Sequence, residues 1–142
     1  MKLFVVDSSV ALKWFLLDDP DESDVDQALG LLRGALNEDC RFLQPPHWIA
    51  EVVSVVARKR PSEAAEALAN LLEMNCHETI QTAHAYARAV DLSLQLDHHF
   101  FDTLYHAVAL EEGALLVTAD NRYFNKAKKL GNIVMLNNLA SA

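Results

Sequence analysis

"KLFVVDSSVALKWF", residues 2–15, decides how this chain is read. Leu3 to Val6 are a short, apolar, β-branched run of the kind buried in a parallel sheet. The run stops at Asp7. From Ser8 to Leu17 apolar residues recur at helical spacing, with Val10, Leu12, Trp14 and Phe15 close to one face. A strand passing into a helix through an aspartate has two explanations. The carboxylate can cap the helix, or it can stand at the carboxyl edge of a sheet, where open α/β folds place their ligands.

The same alternation continues to the end of the chain. An acidic loop, Asp18 to Asp26, leads into a helix over Val25–Leu36 and a short strand at "RFLQ". "PPHWIAEVVSVVARK" is a helix with proline in its first turn, and "PSEAAEALANLLEM" is another, opened by Pro61 and Ser62. After a strand at "HETI" come two helices, "AHAYARAVDLSLQL" and "FFDTLYHAVALEE", with His98 and His99 between them and Gly113 as the stop. "ALLVT" is a buried strand, "DNRYFNKAKKL" a helix ended by Gly131, and "NIVML" the last strand. Strands alternating with one or two helices predict a three-layer α/β sandwich with a central parallel sheet flanked by helices. At 142 residues the chain reads as a single domain, 1–142.

Composition narrows the function. Hydrophobic residues make up 51% of the chain, enough for a real core. No run approaches the length of a membrane span, and the apolar start is too short for a secretory signal. Cys40 and Cys76 fall in no CxxC pattern, so reduced thiols and a cytoplasmic location are expected. A net charge of −8 disfavours generic, charge-driven nucleic-acid binding. It leaves room for a nuclease, whose metal-binding carboxylates themselves add negative charge.

Four acids occupy informative places. Asp7 and Asp120 each follow a strand, "LFVVD" and "LLVTAD", although each also precedes a helix it can cap. Glu51 flanks the apolar stripe of "HWIAEVVSVV", where a charge is costly unless it is paired, bound or reaches solvent. Asp102 lies among apolar neighbours in "FFDTLYHAVAL", and near a helix start it also suits the macrodipole. Four acids converging from separate elements would repel one another, and divalent cations that take oxygen ligands relieve that repulsion. Water on such ions attacks phosphodiesters.

With these motifs in place, the chain resembles a PIN-domain ribonuclease of the VapC-like toxin family. The resemblance rests on "VVDSSVALKW", "PPHWIAEVVSVV", "FFDTLYHAVAL" and "LLVTADNRYF", whose order and spacing agree with the family from near residue 1 to near residue 136. It implies an α/β sandwich that cleaves RNA with Mg²⁺ or Mn²⁺. It assigns the four acidic positions to Asp7, Glu51, Asp102 and Asp120, as catalytic residues and metal ligands. Ser8 and Thr118 fall beside the first and last acids as supporting hydroxyls. On this reading Asp7 belongs to the metal site, and Ser8 or Ser9 caps the helix. The expected function is a metal-dependent endoribonuclease, the toxin of a type II toxin–antitoxin pair. The alternatives are a PIN-fold RNA-processing nuclease outside such a pair, or a non-catalytic binding module.

Other features receive plainer readings. His106 lies four residues after Asp102 and can orient it or contact phosphate, but a structural role is favoured, and more so for His98 and His99. The acidic loop is expected to be solvated. "ARKR" (57–60) and "KAKK" (126–129) are helix-end cations or RNA-backbone contacts. A phospho-receiver module would need a strand-end lysine, and a haloacid-dehalogenase-like phosphatase Asp-x-Asp, which Asp7-Ser8-Ser9 lacks. A DNA flap nuclease uses more acids and a longer chain. Expected partners are RNA, a small antitoxin with a cationic, arginine-bearing tail, and a second copy of the chain. The apolar first helix with Trp14 and Phe15 offers the hydrophobic surface for these proteins.

Overall fold

The computed structural model describes residues 1–139. Five parallel strands, β1 (Lys2–Val6), β2 (Cys40–Gln44), β3 (His77–Thr79), β4 (Leu115–Thr118) and β5 (Ile133–Met135), form one sheet in the order β3-β2-β1-β4-β5. Seven α-helices flank it among the described residues: α1 (Ser8–Ala11), α2 (Val25–Leu36), α3 (Trp48–Lys59), α4 (Ala64–Glu73), α5 (Ala83–Leu96), α6 (Phe100–Glu112) and α7 (Asn121–Ala127). This is the three-layer sandwich that the alternating pattern predicts. No described helix is long and apolar enough to cross a membrane.

The chain builds outward from β1 to β2 and β3, then returns to the other side of β1 to place β4 and β5. The order therefore reverses between β1 and β4, and a crevice opens at the carboxyl ends of strands that part in this way. Val5, Val6 and Val117 are completely buried, as a sheet covered on both faces requires. Helix α6 runs across β1, β2 and β4, with Tyr105, His106, Ala107, Val108 and Ala109 all fully buried. Gly113, at φ 66°, ends α6 in the left-handed conformation that glycine adopts without strain.

One pairing is unusual. The β1–β2 register runs through Phe4 opposite Phe42. Beyond it the buried side chain of Gln44 takes over. Its Oε1 accepts the Val6 N–H at 2.7 Å and its Nε2 donates to the Val6 carbonyl at 2.9 Å.

Helix limits differ from the sequence reading in four places. The first helix is four residues of α-helix, followed by a 3₁₀ turn at Leu12–Trp14, and does not extend to Leu17. Two inward tethers turn the chain there: Trp14 Nε1 donates to the Ala28 carbonyl at 2.8 Å, and Lys13 Nζ to the Ser23 carbonyl at 2.7 Å. Pro45 and Pro46 precede α3 instead of sitting in its first turn, because a residue before proline avoids the helical region. Pro61–Glu63 and Lys128–Leu130 are 3₁₀ turns at the start of α4 and the end of α7.

The acidic loop is also less free than expected. Glu22 is 3.0 Å from the buried Lys13 ammonium, Asp18 is 2.7 Å from Arg60, and Asp19 is 3.7 Å from Lys59. The loop is pinned to the 3₁₀ turn after α1 and to the end of α3. Lys59 and Arg60 of "ARKR" are engaged by this loop, which favours the helix-end reading for those two cations. Cys40 and Cys76 are free and buried, and burial raises both thiol pKa values.

Candidate functional site

Asp7 and Asp120 each cap a helix and each stand beyond the carboxyl end of a strand, so the two explanations are not exclusive. Asp7 is the N-cap of α1: its Oδ2 accepts the Ser9 N–H at 3.2 Å and the Ser9 hydroxyl. Its own N–H donates to the Val117 carbonyl at 3.0 Å, tying the residue to β4. The expectation that Ser8 or Ser9 caps in place of Asp7 is therefore wrong. The Ser9 hydroxyl instead holds Asp7 and accepts the Ala119 N–H at 3.0 Å, linking the two strand ends. Ser9 is the supporting hydroxyl that motif matching missed; its position two residues after a strand-end aspartate was the available signal. Asp120 caps α7, its Oδ1 accepting the N–H groups of Arg122 and Tyr123 at 2.9 and 3.2 Å.

Thr118 is buried between the two acids. Its hydroxyl donates to Asp7 Oδ2 at 3.4 Å and accepts the Asp120 N–H at 3.1 Å. Ser8 lies against Glu51 and Tyr105, favouring the ionised form of each.

Glu51, half-buried on α3, accepts the Tyr105 hydroxyl at 2.6 Å, and His47 Nε2 lies 3.3 Å from the same oxygen. Burial pushes the Glu51 pKa up, but the bonds from His47 and Tyr105 outweigh it and leave the carboxyl below its ordinary value. Burial, with the charges of Asp7 and Glu51, raises the Tyr105 phenol well above its ordinary value, so it stays a neutral donor.

Asp102, in the first turn of α6, receives a bond from His98 Nε2 to its Oδ2 at 2.8 Å. The tautomer follows from the other ring nitrogen. Lys126 Nζ lies 3.3 Å from His98 Nδ1, and an ammonium only donates, so Nδ1 accepts and Nε2 carries the proton. Lys126 also donates to the Asp97 carbonyl at 2.9 Å. His98 is thus a positioning residue for Asp102, in place of the structural or surface role expected for it. His106 does not approach Asp102: its Nε2 donates to the Gly131 carbonyl and its Nδ1 accepts the Tyr123 hydroxyl, both at 2.8 Å. Burial lowers its pKa, and it is a core residue. Lys126, one of the "KAKK" cations, is committed to His98.

Donor atoms of His98, Asp102 and Asp120 all lie within 4.8 Å of one another. Asp7 feels the charges of Asp102 and Glu51, and burial, reinforced by those charges, pushes its carboxyl up to about 7. The structure therefore sets Asp102 and Asp120 together beside His98, with Asp7 close enough to feel the charges of Asp102 and Glu51. Each of the three aspartates has one oxygen engaged by the protein, Oδ2 in Asp7 and Asp102 and Oδ1 in Asp120. No described residue donates to the other oxygen. Anchoring one oxygen and freeing the second is how an outer shell orients carboxylate ligands. The free donors are all oxygens, which fits a hard cation such as Mg²⁺ or Mn²⁺. His98 lies near enough to ligate, but its Nε2 proton is directed at Asp102.

The PIN domain model matches residues 4–130. This chain belongs to the PIN domain family. No curated protein matches it significantly. Among solved structures, this PIN chain is similar to VapBC2 from Rickettsia felis, there bound to a DNA fragment from its promoter, at TM-score 0.62 and 18% identity, over 94% of this chain and 96% of that one. It is similar to PAE2754 from Pyrobaculum aerophilum at TM-score 0.65 and 15% identity, over 96% and 90%. It is also similar to VapC20 from Mycobacterium tuberculosis, a sarcin–ricin-loop-cleaving toxin, at TM-score 0.60 and 20% identity, over 80% and 85%. At these identities the likeness is one of fold.

Proposed function

We propose that this PIN chain is a metal-dependent endoribonuclease that hydrolyses RNA phosphodiester bonds, and that it is the toxin of a type II toxin–antitoxin pair. The observation that carries the reading is the trio Asp7, Asp102 and Asp120, each with one carboxylate oxygen held by the protein and one free, at the strand-order reversal. In this reading those three residues hold the Mg²⁺ or Mn²⁺, and Glu51 completes the acidic set. When bound, the cation would neutralise charge on a phosphodiester and acidify a water. Thr118, Ser9 and Ser8 fix the acids, and His98 orients Asp102.

The toxin assignment draws on the similar chains, which include VapBC toxin–antitoxin structures. A small antitoxin would restrain the enzyme in the cytoplasm by laying arginine against the acids. Trp14 is mostly buried, stacking on Phe42 with ring centroids 5.9 Å apart, and shows only an edge to the surface. The groove for the antitoxin is a mixed cleft of about 390 Å³, where Trp14, Phe15 and the exposed Leu17 face Asp18, Arg60, Glu63 and Glu66. Exposed Val90 and Leu94 on α5 supply apolar surface for a homodimer.

The test is RNA cleavage by the purified chain with Mn²⁺ against chelator, alongside Asp7→Asn and Asp102→Asn. Metal-dependent cleavage lost in both folded variants supports the reading. Equal cleavage by wild type and variants marks a contaminant and defeats it. Metal-independent inactivity with tight RNA binding would favour the non-catalytic binding module. Cleavage that no co-expressed small partner restrains would favour RNA processing outside a toxin–antitoxin pair.

A further inference from the structure

Next to the acids stands a pile of three rings. Tyr105 is fully buried, with its hydroxyl on Glu51. The His47 ring lies 4.8 Å from it, tilted by 56°. Phe101 stacks on His47 at 5.2 Å and 29°. His47 Nε2 donates to the Phe101 carbonyl at 2.9 Å, which fastens the imidazole to the start of α6. The pile ends in solvent: Phe101 is 58% exposed, one residue before Asp102.

We propose that the outer face of Phe101 is a nucleobase-stacking subsite for single-stranded RNA entering the acidic crevice. The proposal rests on the nuclease reading and names how that site holds its substrate. A chain of net charge −8, with three aspartates at the crevice, attracts a polyanion poorly. Affinity has to come from a contact indifferent to charge. Base–aromatic stacking is such a contact, and it tolerates any base, because every base has a π-face. A stacked base also requires an unpaired strand, so the subsite selects loops and single strands over duplexes. The supporting rings make Phe101 a rigid platform: His47 is held on one face, and the Phe100 ring sits edge-on, with centroids 6.3 Å apart.

The experiment measures binding of fluorescein-labelled oligoadenosine to the full chain carrying Asp7→Asn, which prevents cleavage, with a single abasic residue scanned along the oligonucleotide. Adding Phe101→Ala should weaken binding about tenfold. Phe101→Leu, which keeps apolar bulk without the π-face, should lose nearly as much, and Phe101→Trp should retain affinity. At one abasic position the loss caused by Phe101→Ala should disappear, because the stacking partner is already gone. The subsite is overturned if Phe101→Ala binds every oligonucleotide like its parent, or if the loss is equal at all abasic positions. It is also overturned if Phe101→Ala only converts a dimer to monomer in sedimentation, which would make the face a protein contact. No RNA binding by the Asp7→Asn parent would overturn the ribonuclease reading and the subsite together.

Discussion

His98 Nε2 lies 2.8 Å from Asp102 Oδ2, and the other nitrogen of the same ring faces the Lys126 ammonium. An imidazole held in one tautomer fixes the carboxylate plane and leaves Asp102 Oδ1 to face the crevice. Removing such an outer-shell partner lowers metal affinity about 10–100-fold. His98→Ala should therefore weaken Mn²⁺ binding by roughly tenfold in calorimetry while leaving the fold intact. His98→Gln, whose amide can still donate, should recover part of it. Unchanged affinity in His98→Ala would remove the positioning role.

Asp7 supplies a pH test. Its folded-state value is raised from 3.8 to about 7, mainly by burial, so the native state favours the protonated carboxyl. The stabilisation from that proton is complete below pH 3.8 and is lost as pH rises through about 7. At about 1.4 kcal/mol per pH unit, the loss is at most about 4 kcal/mol. Asp7→Asn, which cannot ionise, should lack this contribution to the pH profile and exceed the metal-free wild type in urea midpoint above pH 7. Millimolar Mn²⁺ should restore the wild type, by about 2.7 kcal/mol at a hundredfold excess over Kd. A wild-type profile parallel to that of the variant, or no response to Mn²⁺, would contradict a carboxyl set for a cation.

Tyr105→Phe removes the hydroxyl 2.6 Å from Glu51. Stability should fall by about 1.5–3 kcal/mol, as for a lost hydrogen bond to a charged group. Glu51 should also titrate higher, because part of what holds it below its ordinary value is gone. A depressed Glu51 stabilises the fold above its unfolded value, and this is lost as pH falls through the folded one. The variant should therefore lose less stability on mild acidification, read from urea curves and side-chain NMR.

Lys13 is buried against Glu22, whose side chain is 14% exposed. Glu22→Gln leaves a buried ammonium without its counter-ion and should cost about 2–3 kcal/mol, toward the low end for breaking a buried pair. The double variant Lys13→Met, Glu22→Leu should recover most of that loss. Additive losses in the double variant would show that desolvation is not the cause.

The strand-end acids are legible because apolar runs that stop at a carboxylate are a local signal, and parallel sheets gather strand ends at one edge. That signal places Asp7 and Asp120 at the edge and leaves capping equally open; their assignment as metal ligands rests on the motif resemblance. His98 is not legible by the same means. It lies four residues before Asp102, but α6 starts at Phe100, and the left-handed Asp97, at φ 48°, turns the chain between α5 and α6, so helical spacing does not govern the pair. The partners of Glu51 divide the same way. His47 is its i−4 neighbour, whereas Tyr105 comes from 54 positions away and meets it only through packing. The burial of Trp14 and the pinning of the acidic loop likewise depend on contacts with α2 and α3 that periodicity along a single element does not encode.

The Gln44 amide gives the crevice two unequal banks. On the β4 bank, Asp7 is joined backbone to backbone to Val117, and side chain to side chain to the Thr118 hydroxyl. On the β2 bank, the neighbouring Val6 is joined through a side chain that occupies the room of a missing peptide unit. Substituting Gln44 would therefore remove the outermost tie on the bank that carries Glu51 and leave the Asp7–Val117 tie on the other bank intact.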